Sequence, residues 1–304
     1  MIKNRYDFMI LFDVHDGNPN GDPDMTNMPR TDPDTGHGLV TDVCMKRKIR
    51  DCISGLMNGQ DGFGLYIDND MSLNAKDKAA ADAVGVSLTA KKGKGESKKL
   101  SAEDAEKVKD ELCRRYFDVR MFGGVFTSMA GTTCGNLRGP VQFSISRSVD
   151  PVAVLDLSLT RKAVTTDEDY NDEGKRSTFG NKYIVPYGLY RGFGFVSPQL
   201  TDKTGMMPDD LVLLFKSLFS MFDLDHAAAR GLMTMQKVII FKHDGEYGRY
   251  SANDLFKGVS VHSDCDVPMM FSDYDIDVAD CPDGVEVREL NCLSDVDSLA
   301  GWLV

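Results

Sequence analysis

The sequence predicts an α+β fold in which an antiparallel sheet is backed by two helices and interrupted by two insertions. Three observations predict it. Residues 6–15 (YDFMILFDVH) and 141–147 (VQFSISR) alternate with the period of two that a half-buried strand requires. Residues 42–56 and 208–222 place apolar side chains at helical spacing. The segments follow in the order β, α, β, β, α, β, with long polar stretches after the first helix and the second strand.

In the first strand Phe8, Ile10, Phe12 and Val14 share one face, while Asp7, Asp13 and His15 share the other. A loop rich in Gly, Pro, Asn and Asp leads to a helix that Thr41 or Asp42 can cap. Met45, Ile49, Cys52, Ile53 and Leu56 form its expected buried stripe, with Lys46, Arg47 and Arg50 side by side next to it. Residues 57–118 read as an insertion holding NGQDGFGLY, a polar run KKGKGESKK at 91–99, and a helix opened by Ser101 with Asp104 three later. In the strand at 141–147, Val141, Phe143 and Ile145 are expected inward and Gln142, Ser144 and Ser146 outward. Residues 149–185 read as a protruding hairpin, two β-like arms flanking the polar tip TTDEDYNDEGKRST. A strand at 187–196 follows. A helix from Pro208 then carries Leu211, Leu214, Phe215, Leu218 and Phe222 on one face, and MQKVIIFKH at 235–243 closes the set. This order is the ferredoxin-like split βαβ arrangement, which RNA-recognition motifs also use, although a fold alone assigns no function.

The net charge of -12, from 35 Lys+Arg against 47 Asp+Glu, argues against a phosphate ligand until its distribution is considered. Residues 263–304 hold eleven acids against the one base Arg288, so the first 262 residues carry only -2. A nearly neutral body can hold a basic groove, and the acidic end can discourage non-specific DNA contact. Seven cysteines without a CxxC pair suggest neither a zinc site nor a disulfide framework. No apolar run approaches the roughly 20 residues that span a bilayer, and the amino terminus has too short an apolar run for a signal peptide. The expected setting is the cytoplasm, and no cofactor is expected.

Strand, glycine-rich loop, then basic helix is a layout that turns backbone amides and guanidinium forks toward phosphates. Lys46, Arg47 and Arg50 are therefore the leading candidates, with Arg30 in MPRTDP and Arg138 in NLRGPVQF at turns of the same style. Most charge runs are simply solvated helix faces, and that reading stands beside the first. Asp16, Asn18, Asn20 and Gly21 fit the first half of a calcium-loop pattern, but Asn27 stands where the bidentate Glu belongs. Asp16, Asp22, Asp24, Asp32 and Asp34 crowd the same loop. Clustered carboxylates can hold Mg²⁺ for phosphodiester cleavage, so a metal-dependent ribonuclease using loop 16–34 is the alternative reading. Against it, Asp-Pro and Asp-Gly pairs are ordinary turn chemistry. Arg191 to Val196, RGFGFV, match the first six positions of the RNA-recognition signature, with Pro198 replacing the eighth. Phe193 and Phe195 would then stack bases, or else pack into the protein.

Six collinear segments, FDVHDGNPNGDPD, PRTDPDTGHGLVTDVCMKRKIR, DVRMFGGVF, LRGPVQFSISRSVDP, VPYGLYRGFGFVS and ARGLMTMQKVIIFKHD, carry a resemblance. Together they closely resemble the repeated backbone subunit of the type I-C CRISPR surveillance complex, the seventh Cas family within the repeat-associated mysterious protein superfamily. The resemblance implies an RNA-recognition-type palm at 1–56, 119–148 and 186–262, a helical finger insertion at 57–118, a thumb hairpin at 149–185, and an acidic segment at 263–304 packed on the palm. It implies a non-catalytic subunit whose copies polymerise along CRISPR RNA and present it for pairing with target DNA, beside other Cas subunits. Guide contact is by backbone, since the spacer varies. Carried onto this sequence, the resemblance gives Lys46, Arg47 and Arg50 to guide phosphates, then Arg138, then Arg161, Lys162 and Lys182 on the thumb, with Arg30 in addition.

Overall fold

Strand β1 (Tyr6–Gly17) is the centre of the main sheet, and both of its faces are buried. The computed structural model describes residues 2–88, 98–126, 132–161 and 178–303. After β1 come β2 (His37–Val40), α1 (Asp42–Leu56), α2 (Leu73–Ala83), α3 (Ala102–Arg115) and α4 (Phe117–Phe122). Next are β3 (Gly123–Phe126), β4 (Gly135–Arg138), β5 (Val141–Phe143), β6 (Ser146–Pro151), β7 (Leu155–Arg161) and β8 (Thr178–Val196). The chain continues through α5 (Pro198–Thr204), α6 (Pro208–Ser220), β9 (Leu232–His243), α7 (Ala252–Lys257), β10 (Val259–His262), β11 (Asp275–Val278), β12 (Val285–Leu290) and α8 (Leu293–Val296).

The main sheet runs β12-β9-β1-β8-β6-β2, with β5 and β7 also paired to β8, and every pairing is antiparallel. Of the four strands read from the sequence, the fourth thus lies beside the first, the first beside the third, and the third beside the second. Helices α1 and α6 cover one face. Phe8, Ile10, Phe12 and Val14 pack there with Met45, Ile49, Cys52 and Ile53 of α1 and Leu211, Leu214, Phe215 and Leu218 of α6. The Phe8 and Phe215 rings meet edge-on at 5.4 Å. Leu56, expected in the α1 stripe, is instead 46% exposed at the helix end. Thr41 is the N-cap, its side chain accepting from the Cys44 amide at 3.2 Å.

The opposite face, expected to be polar, is covered as well. Met9, Leu11, Ile239 and Phe241 pack under Leu255 and Phe256 of α7 and Val259 of β10. Asp7 on that face is 1% exposed because His243 Nε2 lies 2.8 Å from one of its oxygens and Arg5 pairs with the same carboxylate at 2.7 Å. The acidic end joins the sheet through β12 on β9, and Trp302 meets Tyr6 at 6.0 Å.

The strand expected over 141–147 breaks in two. Five residues from Phe143 to Arg147 oppose four from Gly194 to Arg191, a bulge that reverses the faces beyond it. Ile145 is therefore 55% exposed while Ser146 is buried. The hairpin arms are present, β7 pairing with residues 178–184 of β8. Its tip at 162–177 lies outside the described residues, as do 91–97 of the lysine-rich run. A separate core cluster running from Tyr66 to Cys134 joins Ala80 and Ala81 of α2 to Val108 and Leu112 of α3 and includes Val119 and Phe126 beyond residue 118.

Candidate nucleic-acid interface

The Gly/Pro/Asn loop is fixed to the start of α1. Asn20 Oδ1 accepts from the Thr41 amide at 2.9 Å and from its hydroxyl at 3.0 Å, and the Cys44 thiol donates to the Pro19 carbonyl at 3.5 Å. The Asn18 side-chain amide donates to the Asn27 carbonyl at 2.7 Å, while the Asn18 backbone amide donates to Ala229. A Cβ at Gly17 would sit 1.9 Å from the Arg230 carbonyl oxygen, so the loop and the turn before β9 touch backbone to backbone. The calcium-pattern asparagines thus close the loop on itself and on α1.

Two of the five acids of this loop, Asp22 and Asp32, are engaged in the same way. Asp22 accepts from the Asp24 amide at 3.1 Å and pairs with Arg30 at 3.2 Å. Asp32 accepts from the Asp34 amide at 3.0 Å and from Arg147, and the Arg147 guanidinium holds its carboxyl down at about 2. Among the described residues no group of three or more His, Cys, Asp or Glu is placed to hold a metal ion. These side chains do turn and ion-pair work.

On α1 the three cations are not equivalent. Lys46 and Arg50, one turn apart, both lie over the Phe122 ring at 5.5 Å. Lys46 donates to Asp42 at 3.3 Å and to Gln142 at 3.4 Å, and its side chain is 14% exposed. Arg50 donates through Nε to Asp118 Oδ2 at 2.7 Å; Asp118 is 1% exposed and also accepts from the Tyr66 and Ile67 amides. Arg50 therefore ties α1 to the insertion. Arg47 is the open one, 54% exposed, with only its Nε hydrogen-bonded among the described residues, to both Asp51 oxygens at 2.8 and 2.9 Å.

Arg138 belongs to the same neighbourhood. Phe122 leads directly into β3, whose Gly123 pairs with Arg138 of β4, and Gln142, the Lys46 partner, donates to the Gly139 carbonyl at 3.1 Å. A Cβ at Gly139 would come within 2.1 Å of the Phe122 carbonyl carbon, so only glycine lets the ribbon approach α4 this closely. Arg138 itself is exposed.

A second group surrounds Cys44. Lys48 of α1, 3% exposed, pairs with Asp225, which also pairs with Arg230 at 2.9 Å, and Arg30 lies nearby. Burial nonetheless pushes the Cys44 thiol above its ordinary range. Lys182, on the hairpin arm, donates to the Ala228 carbonyl of the same turn. Arg161 ends β7, its side chain outside the described residues, and Lys162 lies outside them altogether. The structure thus brings Lys46 and Arg50 together over Phe122, with Arg138 in register one residue on, at Gly123, and Arg30 and Lys182 toward the 225–230 turn. Lys48, Arg230 and Arg147 were missed from the sequence. Lys48 lay within the basic run of α1 without being told apart from its neighbours, and Arg230 stands beside Gly231, a turn glycine with φ of 63°.

The RGFGFV segment has a packing explanation on both faces. A Cβ at Gly194 would lie 2.0 Å from the Phe8 ring and one at Gly192 2.2 Å from the Ser146 hydroxyl oxygen, so both glycines make room for the core. On the other face Phe193 stacks on Phe256 at 4.5 Å and Phe195 meets it at 6.1 Å. These two rings take the packing alternative: Phe193 lies stacked on α7 and Phe195 packs beside it.

Comparison with known proteins now adds to this geometry. A family-wide sequence profile described as CRISPR-associated protein Cas7 matches residues 4–279. The chain belongs to the Cas7 family. A CRISPR-associated protein Cas7 from Haloferax volcanii (strain DS2) is 26% identical over 223 residues, which is 68% of this chain and 61% of that relative. This Cas7-family chain therefore spans less than two thirds of the relative's length. Among solved structures, a chain of a CRISPR RNA-guided surveillance complex in a pre-nicking state superimposes with a TM-score of 0.50, at 15% identity over 78% of each chain. A second CRISPR RNA-guided surveillance complex chain, also 15% identical, covers 86% of this chain and 77% of its own with a TM-score of 0.44. The likeness to the first of these structures is one of fold. No helix among the described residues is long and apolar enough to cross a membrane.

Proposed function

We propose that this protein is a non-catalytic backbone subunit of a type I-C CRISPR surveillance complex, binding CRISPR RNA through phosphates and polymerising along it. The observation that carries the reading is the pairing of Lys46 and Arg50 over Phe122, with exposed Arg138 in register at the next residue, Gly123, and Arg47 open on the same helix, inside the region that matches the Cas7 family. Cations on fixed elements, without a base-reading platform, suit a ligand whose sequence varies. Arg47 and Arg138 make the direct phosphate contacts. Lys46 reaches phosphate by exchanging Gln142, while Arg50 holds the helix in place. Arg30 and Lys182 line the approach from the hairpin, and Arg161 and Lys162 extend that line.

In this reading the α1–α6 side of the 4-1-3-2 sheet is a ferredoxin-like palm of residues 1–56, 119–148 and 186–262. Residues 57–118 are the finger, 149–185 the thumb, and 263–304 an acidic cover. Leu155, Leu157 and Leu159 alternate along β7 and are 45%, 40% and 52% exposed, an apolar thumb face suited to a neighbouring copy in the filament. The remaining partners are target DNA, paired with the exposed bases, and other Cas subunits at the filament ends. The ribonuclease alternative is disfavoured by the engagement of Asp22 with Arg30 and of Asp32 with Arg147.

The test is RNA binding by Arg47→Glu/Arg138→Glu. Reversing Arg50 is not a clean test, because a glutamate there would face the buried Asp118 carboxylate. Loss of RNA binding with an unchanged Tm supports the site. Full RNA binding by that double variant at physiological salt overturns it.

A further inference from the structure

Where β8 leaves the sheet for the hairpin, a cavity of about 610 Å³ opens between the sheet face and the acidic end of the chain. It is unrelated to the Phe122 neighbourhood. Among the described residues three carboxylates line it, Asp16, Asp150 and Asp266, and no Lys or Arg does. Its floor is a tilted ring pair, His15 and Tyr187 at 4.7 Å. His15 Nε2 lies 3.4 Å from Asp13 Oδ2, and the other Asp13 oxygen is buried without a hydrogen-bond partner. The Tyr187 hydroxyl is buried and unpartnered too. The Tyr274 hydroxyl donates to Asp150 at 2.6 Å, leaving the other Asp150 oxygen for a second donor. The remaining wall is apolar: Val152 on one side, Val267 and Met269 on the other, the last two 75% and 66% exposed.

These features fit one kind of occupant. A carboxylate rim over an aromatic floor matches a guanidinium or ammonium group, through ion pairing and stacking. The Tyr187 hydroxyl oxygen, which lines the cavity without a partner, can accept from such a multi-donor cation. Exposed Val267 and Met269 match the apolar stem and neighbours of such a side chain, which free RNA does not supply. Nucleic acid is repelled by the same three acids. We infer that this cavity receives an arginine side chain, flanked by apolar residues, from a partner protein. The inference goes beyond guide binding and does not depend on it.

The test uses RNA-free full-length protein and a fluorescein-labelled peptide, Ala-Val-Arg-Val-Ala, read by fluorescence anisotropy. The comparison peptide carries citrulline, which keeps the shape of arginine without its charge. The arginine peptide is expected to bind saturably and at least about fivefold more tightly than the citrulline peptide. Asp16→Asn/Asp266→Asn is expected to abolish that preference. Asp16 has φ of 47°, a conformation asparagine also tolerates, and Asp266 is exposed, so both changes leave the fold intact. Equal binding of the two peptides, no saturable binding, or a preference that survives in the double variant overturns the inference. Running the titration on Arg47→Glu/Arg138→Glu separates it from the guide-binding reading. If only RNA binding disappears there, the two sites are independent.

Discussion

Replacing Arg50 by alanine should destabilise the protein far more than replacing Arg47, three positions away on the same helix. Arg50 pairs with Asp118 at 2.7 Å, their side chains 12% and 1% exposed. Removing the guanidinium leaves a buried carboxylate held only by the Tyr66 and Ile67 amides, at 2.7 and 3.0 Å. Breaking a buried pair from one side costs about 3–5 kcal/mol, and the two surviving hydrogen bonds place this site near the low end, about 3 kcal/mol. With about 2.1 cal/mol/K of unfolding entropy per residue, 304 residues give about 0.6 kcal/mol/K. The expected fall in Tm is therefore about 5 °C. Arg47 and Asp51 are 54% and 46% exposed, so Arg47→Ala should cost at most about 0.5 kcal/mol, or about 1 °C. Differential scanning calorimetry gives both numbers, and hydrogen exchange at the Tyr66 and Ile67 amides localises the effect, since both should exchange faster in Arg50→Ala alone. Equal Tm values for the two variants, or unchanged exchange at these amides, would refute the assignment of Arg50 to positioning.

Three further outcomes follow from the same geometry. The Asp32 carboxyl should titrate near 2 by NMR and return to the ordinary carboxylate range in Arg147→Ala; since its folded value is depressed, its contribution to stability is complete above about pH 4 and lost as pH falls toward 2. An unshifted midpoint in the Arg147 variant would contradict the pairing. In filter binding across salt concentrations, Arg47→Glu should weaken single-stranded RNA binding about equally for all sequences and lower the salt slope by about 0.7 for each phosphate left unneutralised; a sequence-dependent effect would argue for base reading. Leu157→Ser/Leu159→Ser should leave Tm within about 1 °C, because both side chains are already exposed, yet shorten assemblies on RNA seen by mass photometry. Full-length assemblies from that variant would remove the hairpin face from the account.

The parts of the fold that were legible in the sequence are those set by local chemistry. The even residues of β1, the Thr41 and Ser101 caps and the α6 stripe could be read because spacing and capping groups lie within one element. What failed depended on partners far along the chain. Asp7 looked solvent-facing, but His243 buries with it, and α7 covers the odd residues Met9 and Leu11. Ile145 looked inward because alternation carries no sign of a one-residue bulge. The basic cluster on α1 was visible as charge, but not its division of labour: Asp118 engages Arg50 from 68 positions away, while Arg47 stays open. RGFGFV shows the converse, a motif whose spacing matched RNA recognition and whose glycines and rings serve packing.

The most direct test of the central claim is to purify the protein from cells expressing a CRISPR array and sequence the nucleic acid that accompanies it. The expected result is a large particle holding intact CRISPR RNA of one defined length, stable in Mg²⁺, and absent when Arg47→Glu/Arg138→Glu replaces the parent protein. A nucleic-acid-free monomer, or RNA that shortens in Mg²⁺ and ceases to do so in Asp24→Ala or Asp32→Ala variants, would contradict it.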